Sequence, residues 1–257
     1  MISGIDFLKR IARPIRGLWR YARFVGEFHT FCQMTSGHMP PRFDSYWRNR
    51  YPCLNDNTAT TGFDRHYLYH PSWAARVLAI TKPTLHIDIS STLHFCSLIS
   101  AFIPTQFFDF RPANIYLSNL DCKATDLLSL PFANESVDSL SCMHVVEHIG
   151  LGRYGDPLDP DGDLKAMREL SRVLAVSGNL LFVVPVGNPM VMFNAHRIYS
   201  YQQVIESFKN LDLVKFSLIR EYPSSDGIRE HANASEVAAQ SYGCGCFWFT
   251  KKESQDV

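Results

Sequence analysis

Residues 84–250 alternate short apolar runs with amphipathic stretches, and this alternation constrains the fold more than any other feature of the chain. Leu85-His-Ile-Asp-Ile89, Thr105–Asp109, Asn114–Leu120, Val137–Met143, Asn179–Val186, Leu213–Ile219 and Cys246–Thr250 read as strands. Asn179–Val186 is almost continuously apolar, the mark of a parallel strand buried on both faces. Between the runs lie helical patterns. Leu93, Cys96, Leu98, Ile99 and Phe102 make one. A second spans about Asp163–Leu174, with Leu164, Met167, Leu170 and Leu174 inward and Ser177-Gly178 as its stop. The third is Tyr201–Phe208. Strand–helix alternation of this kind predicts an α/β fold: a Rossmann-like, doubly wound, mostly parallel sheet of about seven strands. The last two strands are expected to pair at one edge.

The N-terminal part is different and reads as a helical and loop extension. In residues 1–35, Lys9, Arg13, Arg16, Arg20 and Arg23 recur at three- and four-residue steps. Leu8, Ile11, Ile15, Leu18, Ala22 and Val25 form another stripe. The pattern predicts a basic amphipathic helix, interrupted or kinked near Pro14. Three uses fit it: packing on the main domain, peripheral membrane contact through residues 5–25, and organelle targeting. Co-sedimentation with anionic liposomes separates the second from the others. Residues 36–80 form a loop and helix cap region, with turn signals at Pro40-Pro41 and Asn55-Asp56-Asn57 and a helix from Trp73 to Ile80. Tyr67, Tyr69, His70 and Trp73 either cover a cleft or anchor the loop. Residues 81–257 form the α/β domain.

Composition excludes some classes. Basic and acidic residues balance at 25 each, so the molecule as a whole does not attract nucleic acid. Seven scattered cysteines without a C-x-x-C pair suit a reduced, cytoplasmic protein, with membrane association left open by the N-terminal helix. No run of apolar residues is long enough to span a bilayer. Cys244-Gly-Cys246 is too tight to clip zinc alone and has no matching second pair, so no metal is expected. The acidic run 155–163 lacks the closing glutamate of a calcium loop; Asp161 or Asp163 is expected to cap the next helix. Oligomeric state has no sequence signal.

Ligands of such sheets bind at the carboxyl ends of the strands. Asp88 and Asp109, 21 positions apart, end the first two strands, and a carboxylate suits the vicinal diol of a ribose. The turn between them carries Ser90-Ser91-Thr92 where a dinucleotide site has G-x-G-x-x-G. A ligand without a pyrophosphate therefore fits better, and an NAD-type dehydrogenase is disfavoured. The fourth strand runs into His144, Glu147 and His148, titratable groups at the edge of the expected cleft.

At these residues the chain, over about Thr84–Thr250, resembles the class I S-adenosylmethionine-dependent methyltransferases. Leu85-His-Ile-Asp-Ile-Ser90 corresponds to the first ligand loop, Asp109 to the ribose acid and Asp126-Leu127 to the adenine-reading turn. Leu130-Pro-Phe-Ala-Asn-Glu-Ser-Val-Asp-Ser-Leu-Ser-Cys-Met-His-Val-Val-Glu-His148 looks like the family's "LPF…SFD…VLEH" segment. Glu169-Leu-Ser-Arg-Val-Leu-Ala-Val-Ser-Gly178 looks like its "E-x-x-RVLKPGG" segment. Residues 148–157 and 193–197 look like an uncharacterised branch, of unknown function. The resemblance implies S-adenosyl-L-methionine as cofactor, contacted by Asp88, Ser90, Ser91, Asp109, Asp126, Leu127 and His144. It implies transfer of a methyl group, expected to an oxygen of a small molecule, sugar or lipid-linked glycan. His148 and His196 are the candidate bases, Glu147 orients, and Arg197 holds an anionic acceptor. The competing expectation is a non-catalytic scaffold on the same fold, suggested by the serine-rich first loop.

Overall fold

The computed structural model describes residues 4–35, 42–223 and 225–252, with side chains from Arg16 onward. The turn expected at Pro40-Pro41 and the stripes expected from Leu8, Lys9, Ile11, Arg13 and Ile15 lie outside the described residues or side chains. The chain forms two compact units, residues 1–62 and 63–257.

In the first unit, helix α1 runs Gly4–Thr35 without the interruption expected at Pro14. A 3-10 turn at Trp47–Asn49 sets the Trp47 ring 5.0 Å from Phe28, and Arg20 Nη1 donates to Asn55 Oδ1. Among the described residues no helix is long and apolar enough to cross a membrane.

The second unit opens with α2 (Arg65–Thr81), eight residues earlier than the Trp73 start expected. Asp64 caps it by accepting from Tyr67 N at 3.0 Å, and the helix continues through Pro71. His66, His70, Trp73, Ala74, Val77 and Leu78 share its buried face. Packing of that face outweighs the local preference against an internal proline. The remaining elements follow in order: β1 (His86–Ile89), α3 (Leu93–Ile99), β2 (Thr105–Asp109), β3 (Leu120–Ala124), β4 (Val137–Met143), α4 (Gly162–Val173), β5 (Leu174–Val186), β6 (Met190–Met192), β7 (His196–Ile198), α5 (Tyr201–Ser207), β8 (Leu211–Ile219), β9 (Arg229–Glu230), α6 (Ala234–Ala238) and β10 (Gly243–Lys251).

Eight strands form one sheet in the order β3-β2-β1-β4-β5-β10-β8-β9, and β6 and β7 form a separate hairpin. Strands β1 to β5 pair in parallel, while β10 pairs antiparallel with both β5 and β8. The fold is therefore the expected doubly wound α/β sheet, with the late strands paired towards one edge. Successive residues of β5 feed opposite cores. Phe182 and Val184 pack with α4 and α5 residues; Leu181 and Val183 pack with α2 and α3 residues.

Several expected boundaries differ. Residues 114–119 do not form the third strand; β3 is Leu120–Ala124, an edge strand with only Leu120 buried. Helix α4 ends at Val173, and Leu174 already belongs to β5, so Ser177-Gly178 lies inside a strand rather than stopping the helix. Leu164 is 40% exposed, while Met167 and Leu170 are buried as expected. Asp161 occupies the N-cap position of α4 without a side-chain capping bond, and Asp163 accepts from Tyr199 Oη instead.

The two motif segments are tied to each other. Glu169 Oε1 accepts from Leu130 N at 2.8 Å, and Arg172 donates to the carbonyls of Leu130 and Phe132 and to Asn134 Oδ1. One turn of α4 thus clamps the loop that feeds β4.

Candidate active site

The sheet order reverses between β1 and β4, so a crevice opens outside the carboxyl ends of these strands. A cavity of about 620 Å³ lies there, a volume suited to a small-molecule ligand. Ser90 and Ser91, Asp109 and Asp126-Leu127 form one wall; His144, Glu147, His148 and His196 form another. Nine of the eleven residues expected at a site thus meet around one space. Asp88 and Arg197 do not border it.

Asp88 lies beneath the first wall, fully buried. Its carboxylate accepts from Ser91 N at 3.0 Å and from the Ser141 hydroxyl. Ser141 and Ser139 in turn hold the two ring nitrogens of buried His86, each at 2.8 Å. Asp88 therefore shapes the Ser90-Ser91-Thr92 turn from below and does not border the cavity. Burial raises its carboxyl to about 6, against the hydrogen bonds from Ser141 and Ser91 that pull it down. The sign follows from proton counting. Between about pH 4 and pH 6 the folded chain keeps a proton that the unfolded chain releases, so ionisation weakens the fold as pH rises. We predict that wild type loses stability relative to Asp88→Asn between pH 4.5 and pH 7, by on the order of 2 kcal/mol. Urea unfolding of both proteins at pH 4.5 and pH 7 checks it; a difference independent of pH would refute the assignment.

The glycine-poor turn adopts the conformation that glycine usually supplies. Ser90 sits at φ +54°, a left-handed geometry costing roughly 1–2 kcal/mol for an L-residue. Its N–H and hydroxyl both donate to Phe108 O, and Ser91 Oγ accepts from Met143 N at 3.0 Å. The serine hydroxyls expected to bond a ligand are thus turned into the protein, where they stitch β1 to β2 and β4.

At the neighbouring strand ends, Asp109 Oδ1 accepts from Arg111 N at 2.7 Å and Asp126 Oδ1 from Leu128 N at 2.8 Å. Each bond fixes a carboxylate at the cavity edge and leaves its second oxygen for another donor. The Arg111 guanidinium lies 4.7 Å over the Tyr154 ring.

Beyond β4 the chain is strained. His144 has φ +57°, and a 3-10 turn at Val146–His148 follows. His144 Nδ1 meets Glu147 Oε1 at 2.9 Å, while the second Glu147 oxygen is buried without a partner. Burial pushes Glu147 up to about 7 and His144 down to about 4. His148 Nδ1 lies 2.6 Å from Ala195 O, which requires this nitrogen to donate and leaves Nε2 as an acceptor. The Arg153 guanidinium beside it therefore bonds Ala195 O, at 3.0 Å, rather than the ring. Burial lowers both His148 and His196, keeping each neutral at neutral pH.

Arg197 corrects the expectation of an anion-holding residue. Its guanidinium donates to Ile149 O at 2.7 Å and Pro160 O at 3.2 Å, and lies 3.6 Å from Asp163. Every direction it points is already filled by the 147–163 segment. That segment folds back on itself at Gly150, where φ is +80° and an added Cβ would fall 2.0 Å from Asp159 O. Asp156 accepts from Gly150 N, Gly152 N and Tyr154 N, and Asp159 pairs with Lys165 at 2.6 Å. Asp156, Asp159 and Asp163 of the acidic run are thus engaged by turns, by Lys165, and by Tyr199 with Arg197.

Four further groups lie at or beside the cavity, and three of them, His66, Tyr242 and Cys244, were not expected at the site from sequence. Tyr242 lines it from the turn before β10, and Tyr67 lines it from α2; for Tyr67 the sequence left covering and anchoring open. His66 stacks 5.4 Å from His144 and 5.0 Å from Tyr242, and Cys244 Sγ lies 3.4 Å from His144 Nε2. The His66/His70 spacing on one helix face was a readable signal. Tyr242 and Cys244 carried none, because only the antiparallel return of β10 brings them here.

Comparison with solved structures identifies the architecture. The N-methyltransferase NodS from Bradyrhizobium japonicum WM9 superimposes with a TM-score of 0.52 at 15% identity, over 74% of this chain and 98% of NodS. Its complex with S-adenosyl-L-homocysteine gives 0.51 at 16%, over 80% and 94%. The BH2331 protein from Bacillus halodurans C-125 gives 0.51 at 12%, over 71% and 99%. The fold of this chain is that of the class I S-adenosylmethionine-dependent methyltransferases. Within it, residues 129–234 match the family model described as "Caenorhabditis protein of unknown function, DUF268". No curated protein matches the chain.

Proposed function

We propose that this protein is an S-adenosyl-L-methionine-dependent methyltransferase acting on an oxygen of a small molecule, sugar or lipid-linked glycan. The observation that carries the reading is the pair of carboxylates, Asp109 and Asp126, anchored by their own turns at adjacent strand ends on a cavity of about 620 Å³. NodS, of the same fold, has been solved with S-adenosyl-L-homocysteine. In this chain Asp109 would accept from the ribose hydroxyls, and Asp126 with Leu127 would border the adenine. The cofactor supplies an electrophilic methyl group on a sulfonium.

The opposite wall supplies what a hydroxyl acceptor needs. His148 is neutral, its Nδ1–H is held by Ala195 O, and its Nε2 lone pair is free to take the acceptor's proton. His196, whose Nε2 is buried without a partner, is the second candidate base. Glu147 lies 3.8 Å from His148 Nε2 and favours the imidazolium that proton uptake produces.

Titration calorimetry with S-adenosylmethionine, S-adenosylhomocysteine and NAD tests the reading. Both adenosyl ligands are expected to bind and NAD is not. If none binds, the scaffold alternative takes over. Once an acceptor is found, His148→Gln and His196→Gln separate the bases: loss of the true base lowers turnover by roughly 10²–10⁴-fold. Full turnover in both variants would remove the base proposal.

A further inference from the structure

We propose that His66, His144 and Cys244 form a binding site for zinc. Three segments distant in sequence deliver them: α2, the end of β4 and the start of β10. All three residues are buried, and one donor atom from each lies within 4.8 Å of the other two. Cys244 Sγ and His144 Nε2 are 3.4 Å apart. Zinc–sulfur and zinc–nitrogen bonds of about 2.3 and 2.0–2.1 Å at a tetrahedral angle put the two donor atoms about 3.5 Å apart. That edge of the polyhedron therefore already has its required length. Two imidazoles and a thiolate are a donor set that zinc prefers over magnesium or calcium.

A second observation points the same way. Glu147 receives His144 Nδ1 at 2.9 Å, which aims Nε2 at Cys244. A carboxylate behind a histidine whose other nitrogen faces a soft donor is the usual support of a metal-bound imidazole. The other Glu147 oxygen is buried with no partner, so this carboxylate lacks the compensating charge that a nearby cation would provide. On binding, the Cys244 S–H bond breaks, its proton leaves to solvent, and the sulfur electron pair forms the bond to zinc; no oxidant or reductant is involved. Three protein ligands leave a tetrahedral ion one position, for water or for an acceptor atom from the cavity that His144 borders. The alternative is a thiol–imidazole hydrogen bond only.

The test uses the full chain and reads metal rather than turnover, so it stands apart from the methyltransferase reading. After reconstitution with zinc chloride and exhaustive dialysis, elemental analysis is expected to find stoichiometric zinc in wild type. Cys244→Ser and His66→Gln are expected to fall to background. Cobalt(II) added to wild-type protein is expected to give intense tetrahedral ligand-field bands and a thiolate-to-cobalt charge-transfer band, the latter absent in Cys244→Ser. Wild type that holds no zinc and shows no charge-transfer band overturns the site, and needs no variant to fold. Zinc retained equally by wild type and a folded Cys244→Ser, judged by circular dichroism, overturns it as well.

Discussion

Replacing Arg197 with alanine is expected to destabilise the second unit by about 3–5 kcal/mol, the range for removing one partner of a buried ion pair. The residue is 7% exposed, and its guanidinium serves the carbonyls of Ile149 and Pro160 beside the Asp163 carboxylate. Truncation strands those acceptors and leaves Asp163 with Tyr199 Oη as its remaining hydrogen-bond donor. The 147–160 segment that carries Glu147 and His148 would lose its attachment to β7. Lysine restores charge but not the planar fork, so Arg197→Lys should fall between wild type and alanine. Adding Asp163→Asn to the alanine variant should recover part of the loss, because the uncompensated charge goes with it. Denaturant unfolding followed by circular dichroism measures all four proteins. A loss below about 1 kcal/mol for Arg197→Ala would show that the guanidinium is solvated in the folded protein, as an exposed pair would be.

Asp109→Ala is expected to weaken S-adenosylmethionine binding about 100-fold while leaving stability nearly unchanged. A hydrogen bond to a charged group contributes about 1.5–3 kcal/mol, and two such bonds from a ribose diol correspond to roughly that factor at the lower end. The carboxylate is pre-positioned by Arg111 N at 2.7 Å, so little ordering is left for the ligand to drive. Asp109→Asn keeps the turn acceptor, loses the charge, and should retain intermediate affinity. Calorimetric affinities equal to wild type in the alanine variant would mean that the ligand lies elsewhere in the cavity.

Much of the sheet was readable because β5 is buried and almost continuously apolar over Leu180–Val186, and because short apolar clusters such as Phe107-Phe108 and Cys142-Met143 mark β2 and β4. Thr105–Asp109 and Val137–Met143 occur at the expected bounds. The third strand was misplaced for the complementary reason. As an edge strand, Leu-Asp-Cys-Lys-Ala faces solvent and carries little apolar signal, while Ile115-Tyr-Leu117 just before it carries more. The start of α2 was hidden by Pro71 and by aromatics that read as loop anchors. Burial of His66, His70 and Trp73 on one face settles that segment as helix.

The family resemblance placed Asp126 and His196 at the site; from residues alone came the doubly wound topology and the placing of Asp109, His144, Glu147 and His148 on one crevice. Both follow from local periodicity plus the rule that parallel strands present their ends together. Whether a polar side chain faces the crevice or the interior is set by hydrogen bonds to segments far away in the chain, and only the tertiary structure decided it. It turned Arg197 and Asp88 inward. It also set Cys244, a hundred residues from His144, within 3.4 Å of that ring. The return of β10 between β5 and β8 makes that encounter, and no spacing of cysteines records it.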